Sequence, residues 1–257
     1  MKFKVALLGA GNVAWNLAPA LEDAGHEITE VYARTLRQAE EITERVYNAR
    51  PTNDLDFSES RAEIFILALS DDALSEVADQ VILPEGSLLV HTSGTVPLEV
   101  LDYSSASYTG VFYPLQSFTK GKKVDFEEVP LVLESEDEET LQKLKKFAKS
   151  ISPMVSTMGS KDRKALHVAA VFASNFTNHM LRIAEEIMHR QGLDKDLLKP
   201  LIIESISKSL QLGAKRAQTG PALREDMETL EEQHRFLSYN PQLAEIYRLI
   251  SQDIMDS

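Results

Sequence analysis

Apolar and polar positions change period repeatedly along the first 158 residues. Phe3–Leu8 is a short, continuous apolar run, and so is "EIFILAL" at Glu63–Leu69. Runs of this kind predict strands buried on both faces. Between them the apolar spacing switches to three and four residues, which predicts helices over Asn12–Ala24, Leu36–Val46 and Asp71–Gln80. Further strands are expected at Glu27–Ala33, at Ser87–Thr92, near Ser107–Phe112, at Val129–Glu134 and near Met154–Thr157, with a charged helix at Glu136–Lys149. A weak segment runs through Asp56. Pro19 removes a hydrogen bond from the first helix and predicts a kink. Strands separated by helices of this length imply right-handed crossovers. The expected fold class is α/β, a doubly wound, mostly parallel sheet.

From Gly159 the pattern changes and no further strand is evident. Lys161–Gln191 has one long helical spacing, apolar nearly all round between Leu166 and Phe176, which predicts a buried central helix. Gly192 ends it, and Asp194 caps a helix running to about Ala217. "TGP" at Thr219–Pro221 is a turn, followed by helices near Asp226–Leu237 and Pro241–Ile254. The expected domains are therefore 1–158, α/β, and 159–257, all-α.

Composition narrows the function. Of 257 residues 43% are hydrophobic, enough for a substantial core. The net charge of −13 argues against nucleic acid or an anionic membrane as partner. No apolar run is long enough to span a membrane, and no signal-peptide pattern opens the chain, so a cytoplasmic location is expected. Cysteine is absent, which excludes disulfides and thiolate chemistry. No metal site is expected. The acidic run "ESEDEE" at Glu134–Glu139 reads as a solvated helix start.

The chemistry begins with "VALLGAGNVAWNLAPALEDAG", Val5 to Gly25. Gly9-Ala10-Gly11-Asn12-Val13-Ala14 reads G-x-G-x-x-A, the variant dinucleotide fingerprint of a Rossmann domain, and it lies between a strand and a helix. Gly9 suits the tight turn, Gly11 lets the backbone approach a pyrophosphate, and the N–H groups around Asn12 and Val13 face the phosphates. At the end of the second strand, where an NAD-selective protein carries a carboxylate, "VYART" places Arg34 with Thr35 beside it. A guanidinium there suits a 2′-phosphate, so NADP is the expected cofactor, the alternative being a surface arginine. "ALSDDAL" puts Leu69, Ser70 and Asp71 beyond the fourth strand, as cofactor wall, helix cap or both. "VHTSG" adds His91, Thr92, Ser93 and Gly94, and "VFYPLQSF" adds Tyr113, Gln116 and Ser117, at the edge where open sheets bind ligands. On the long helix, Lys164, His167, Val171, Ser174, Asn175 and Asn178 step along one face, which serves either a ligand or an interface.

These motifs in this order resemble the 6-phosphogluconate-dehydrogenase-like superfamily, and within it a bacterial group of Rossmann-like NADP oxidoreductases with a helical C-terminal domain of unknown function. "LLGAGNVA", "ALSDDAL", "HTSG", "YPLQSF", "HVAAVFASNF" and "TGPALRED" carry the likeness over roughly Phe3–Tyr247. Two positions depart from the group: Glu225 stands where it tends to have glycine, and Leu166 where an aromatic usually precedes the histidine. The resemblance implies hydride transfer between NADP and a small substrate held between the two domains. It also implies Lys164 or His167 as acid/base, Asn175 as a polarising amide and Ser93 as a substrate contact. His167 has the better intrinsic pKa for this work. A homodimer through the helical domains is expected, because the apolar helix exceeds what one small domain can bury. The alternative is a catalytically silent NADP-binding sensor or scaffold.

Overall fold

The computed structural model describes residues 2–257. Eight strands form one sheet: β1 Lys4–Leu8, β2 Glu27–Tyr32, β3 Arg50–Thr52, β4 Ile64–Leu67, β5 Leu88–His91, β6 Tyr108–Pro114, β7 Leu131–Glu134 and β8 Val155–Thr157. Their order is β3-β2-β1-β4-β5-β6-β7-β8, and only the β6–β7 pair is antiparallel. The order reverses direction at β1, the switch point at which such sheets open a crevice. The fold is therefore α/β, a mostly parallel Rossmann-like sheet followed by helices, and the weak segment before Asp56 supplies the edge strand β3.

The central strands are buried on both faces. One face packs Val5, Leu7, Ile64, Ile66 and Val90 against helices α1 (Asn12–Asp23), α2 (Leu36–Thr43) and, through Leu144 and Phe147, the later helix Glu138–Ala148. The other packs Ala6, Leu8, Phe65, Leu67 and Leu89 against α3 (Asp71–Gln80) and the short turn Leu98–Leu101. Glu138–Ala148, α4, is capped by Asp137, whose carboxylate accepts from the Thr140 amide at 2.7 Å.

The chain divides into two compact units, the first ending at His179 and the second running Met180–Ser257. The first includes α5 (Ser160–Ala170) and a π-helical segment, Val171–Phe176, that leads into α6 (Thr177–Arg190). Here the sequence expectation is corrected twice. The long helix is not one regular α-helix, because the π segment interrupts it. Nor is it buried: Val168, Phe172 and Phe176 are exposed, Phe172 to 65%. Apolar periodicity reports an apolar face, not what covers it.

In the second unit the helix expected to run to Ala217 is broken. It becomes a 3₁₀ turn at Lys195–Leu198 capped by Asp194, then α7 (Lys199–Leu212) and α8 (Ala214–Ala217), separated by Gly213 at φ 86°. Helices α9 (Met227–Phe236) and α10 (Pro241–Asp256) complete it. Its core is small, built on Leu237, Leu243 and Ala244 with Ile183, Ile187, Tyr239 and Tyr247.

Glu225 has a φ of 53°, the single non-glycine residue in the left-handed region among those described. It stands just before Asp226, which caps α9 through the Thr229 amide. A side chain costs about 1–2 kcal/mol in that conformation, and glycine's greater freedom in the unfolded chain returns part of the difference. Glu225→Gly is expected to stabilise the protein by about 0.5–1 kcal/mol, read as a raised Tm in thermal unfolding. An unchanged or lower Tm would mean that the backbone is not strained.

Candidate active site

The parallel run β2-β1-β4-β5-β6 brings five strand ends to one edge. After β1, Gly9 turns at φ 129°, and a Cβ there would meet the Ala68 carbonyl oxygen at 2.2 Å. Both the backbone conformation and the packing demand glycine at position 9. Gly11 is different, since a Cβ on it would meet nothing within 4 Å. It is also the N-cap of α1, whose first turn has no side-chain cap and no acidic residue. Open space and uncapped N–H groups at Asn12 and Val13 suit a pyrophosphate. The Asn12 carbonyl accepts from Asn16 Nδ2 at 2.9 Å, which holds that first turn. Arg34 and Thr35 are exposed beyond β2, and no carboxylate pairs with Arg34 among the described residues. Thr35 is engaged with Gln38 Oε1 at 3.0 Å.

The neighbouring loop, His91–Leu98, is held from every side. Thr92 Oγ1 donates to the Leu67 carbonyl at 3.3 Å. Ser93 Oγ accepts from the amides of Thr95 and Val96, at 3.1 and 3.0 Å. Thr95 Oγ1 donates to Asp71, so α3 and this loop are tied together. Leu69 is half-buried in the core below, and Ser70, the N-cap of α3, makes no side-chain cap and is exposed. The Ser93 hydroxyl, expected to touch substrate, is thus engaged within its own turn.

His91 is fully buried, and burial pushes its imidazole down to about 4, with the Arg163 charge adding to the effect. It stays neutral near pH 7. Its Nδ1 accepts from the Ser93 amide at 3.2 Å, so the proton sits on Nε2, which is buried without a hydrogen-bond partner among the described residues. His91 supports the loop and does not face a ligand.

Sequence reasoning missed Arg163. It lies on α5 with 0% of its side chain exposed. Nη2 and Nε donate to Glu134 Oε2 at 2.8 and 3.2 Å, Nη1 to the carbonyls of Ser93 and Val96, both at 2.8 Å, and Nη2 also to Ser160 Oγ at 3.0 Å. Every guanidinium hydrogen is used. Glu134, taken for part of a solvated acidic run, pairs across the sheet with Val111, which itself pairs with His91. The reversal of β7 is what brings that carboxylate to the loop.

On the same helix, one turn beyond Arg163, His167 is half-buried, and its Nδ1 lies 3.0 Å from Tyr113 Oη at the end of β6. Burial pushes the Tyr113 phenol up. Gly94 forms the floor of the pair: a Cβ there would stand 2.4 Å from His167 Nδ1 and 2.8 Å from Tyr113 Cζ. Lys164 is exposed and makes no ion pair among the described residues. Ser174 and Asn175 lie on the π segment and Asn178 beyond it, all exposed, and the wider π turn breaks their alignment with His167. No group of three or more His, Asp or Glu among the described residues is arranged to hold a metal ion, and no helix is long and apolar enough to cross a membrane.

Two families match the chain: a Rossmann-like domain over residues 1–111 and a domain of unknown function, DUF2520, over residues 129–254. No curated protein matches. Among solved structures, a candidate NADP oxidoreductase from Bacteroides fragilis is 38% identical, with 100% of this chain and 99% of that one covered and a TM-score of 0.92. An imine reductase from Myxococcus stipitatus, in complex with NADP+, is 16% identical over 98% and 92% of the two chains, with a TM-score of 0.65. The 1-pyrroline-5-carboxylate reductase of Streptococcus pyogenes is 13% identical over 100% and 99%, with a TM-score of 0.64. The last two likenesses establish the fold.

The Arg163 network yields a prediction. Replacing it with methionine leaves the Glu134 carboxylate, 14% exposed, without its cation. Arg163→Met is expected to cost about 3–5 kcal/mol in chemical denaturation, and adding Glu134→Leu to recover much of that loss. A single variant as stable as the native protein would show that the pair contributes nothing.

Proposed function

The chain belongs to the family that joins a Rossmann-like domain to the DUF2520 domain, the family of the Bacteroides fragilis protein, and from that membership we propose that it is an NADP-dependent oxidoreductase acting on a small molecule. The observation that carries the reading is a conjunction on one sheet edge. An uncapped helix start beside an open glycine suits the cofactor, and a half-buried imidazole on Tyr113 suits proton transfer. When bound, the nicotinamide supplies or takes up a hydride. This chain's residues do the remaining work. The Gly9–Val13 turn receives the pyrophosphate, Arg34 receives the 2′-phosphate, and the loop from Thr92 to Thr95, tied to Asp71, forms a rigid wall. His167 exchanges the proton that must accompany hydride transfer. Lys164 and Asn175, exposed on the same stretch of chain, are the further candidates for substrate contact.

The cofactor reading is tested by titration of the protein's fluorescence with NADPH and NADH. NADPH is expected to bind more tightly. Arg34→Asp is expected to lower its affinity about tenfold to a hundredfold, the worth of a charge-assisted bidentate contact, and to leave NADH nearly unchanged. Equal native affinities would sink the 2′-phosphate assignment. Tight NADPH binding with no oxidation by any of a panel of 2-oxoacids, imines and aldehydes would favour the sensor instead.

The reading includes a homodimer. Leu197, Leu201, Ile203 and Leu210 of the helical unit are exposed, Leu210 to 83%, and α7 buries no residue at all. Exposed apolar surface of this extent marks protein contact. Light scattering at micromolar concentration is expected to give twice the 28.7 kDa chain mass. A monomer across that range would remove the dimer from the reading.

A further inference from the structure

A phenol and an imidazole in contact must settle which one donates. Tyr113 is buried with its phenol pushed up, so it holds its proton at neutral pH. A phenolic O–H is a stronger donor than a neutral imidazole N–H, and the imidazole lone pair is the stronger acceptor. In the neutral pair Tyr113 therefore donates to His167 Nδ1, and the ring proton sits on Nε2. Nε2 has no hydrogen-bond partner among the described residues, yet it is not one of the buried unpartnered atoms, so it is open. When the ring takes a second proton, it goes to Nδ1, and the phenol turns to accept it. A carboxylate at this place could only accept, and would favour the charged ring. A hydroxyl serves both states.

We propose that Tyr113 is a positioning residue for proton transfer: it anchors the His167 imidazole through Nδ1 in both protonation states, so that Nε2 is held open to hand its proton to substrate. The proposal rests on the reading of His167 as the proton-transferring group. In the reducing direction, as a carbonyl or imine carbon accepts hydride from the reduced nicotinamide, the Nε2–H bond breaks and the proton joins the substrate oxygen or nitrogen. The imidazolium first becomes a neutral ring whose Nδ1–H donates to Tyr113; solvent then reprotonates Nε2, and loss of the Nδ1 proton to solvent, with a turn of the phenol, restores the resting neutral pair. Gly94 belongs to this device, because any side chain there occupies the space of both rings.

The test is a long-range ¹H–¹⁵N correlation spectrum of the full-length protein, with the His167 signals assigned by their loss in His167→Gln. In its neutral form the native ring is expected to show a single tautomer, with the proton on Nε2 and a bare Nδ1. Tyr113→Phe keeps the aromatic ring and removes the hydroxyl, and is expected to give averaged nitrogen shifts from a mixture of tautomers. Gly94→Ala is expected to give a mixture too, by displacing the ring, so either variant suffices if the other folds poorly. Once a substrate is in hand, Tyr113→Phe should lower kcat about tenfold with KM near native. A native spectrum already averaged, or a Tyr113→Phe spectrum identical to the native one, overturns the anchoring. Full turnover by His167→Gln with the native tautomer pattern intact overturns the catalytic reading instead, so the two failures are distinguishable.

Discussion

Arg163 is the constraint on which the candidate site depends. A guanidinium removed from water is tolerable only when its charge is matched and its donors are all used. Here Glu134 matches the charge, and the carbonyls of Ser93 and Val96 with Ser160 take the rest. Three parts of the chain that share no sequence proximity are thereby fixed to one plane: the end of β7, the loop after β5 and the first turn of α5. Lysine could not replace it, since an ammonium offers three donors from a single point and no planar fork. The position of His167 follows, because it lies four residues along the same helix and meets the sheet through Tyr113.

Much of the fold was legible in the sequence, for a physical reason. Parallel strands buried on both faces read as uninterrupted apolar runs, and the Gly9–Ala14 turn has few other uses between a strand and a helix. The doubly wound, mostly parallel sheet follows from that pattern. What was illegible depends on contacts between distant residues. Nothing in "SKDRKAL" separates Arg163 from Lys161 or Lys164, since all three look like the polar start of a helix. Glu134 sits among acidic neighbours that are solvated, and only the antiparallel reversal of β7 distinguishes it. Ser93, which the resemblance implies as a substrate contact, has an oxygen that accepts from two amides of its own turn, a local bond its sequence does not reveal.

The π segment at Val171–Phe176 shows a second limit. A stripe drawn at α-helical spacing assumes 3.6 residues per turn throughout, and one wider turn rotates everything downstream. α-Helical spacing therefore does not by itself carry the face of His167 on to Asn175 and Asn178. Phe172 and Phe176 pack edge to face on one another, with ring centroids 4.9 Å apart, and remain exposed. Periodicity was right about which residues are apolar and silent about their cover.

Gly94 separates two capacities that are usually discussed together. It lies on the loop after β5, whereas the dinucleotide turn follows β1, so the two are distinct in sequence and in hydrogen bonding. A methyl group at position 94 has to evict the imidazole or the phenol, its nearest neighbours. On the proposed function, a single substitution at position 94 would therefore strike the imidazole–phenol pair rather than the turn after β1.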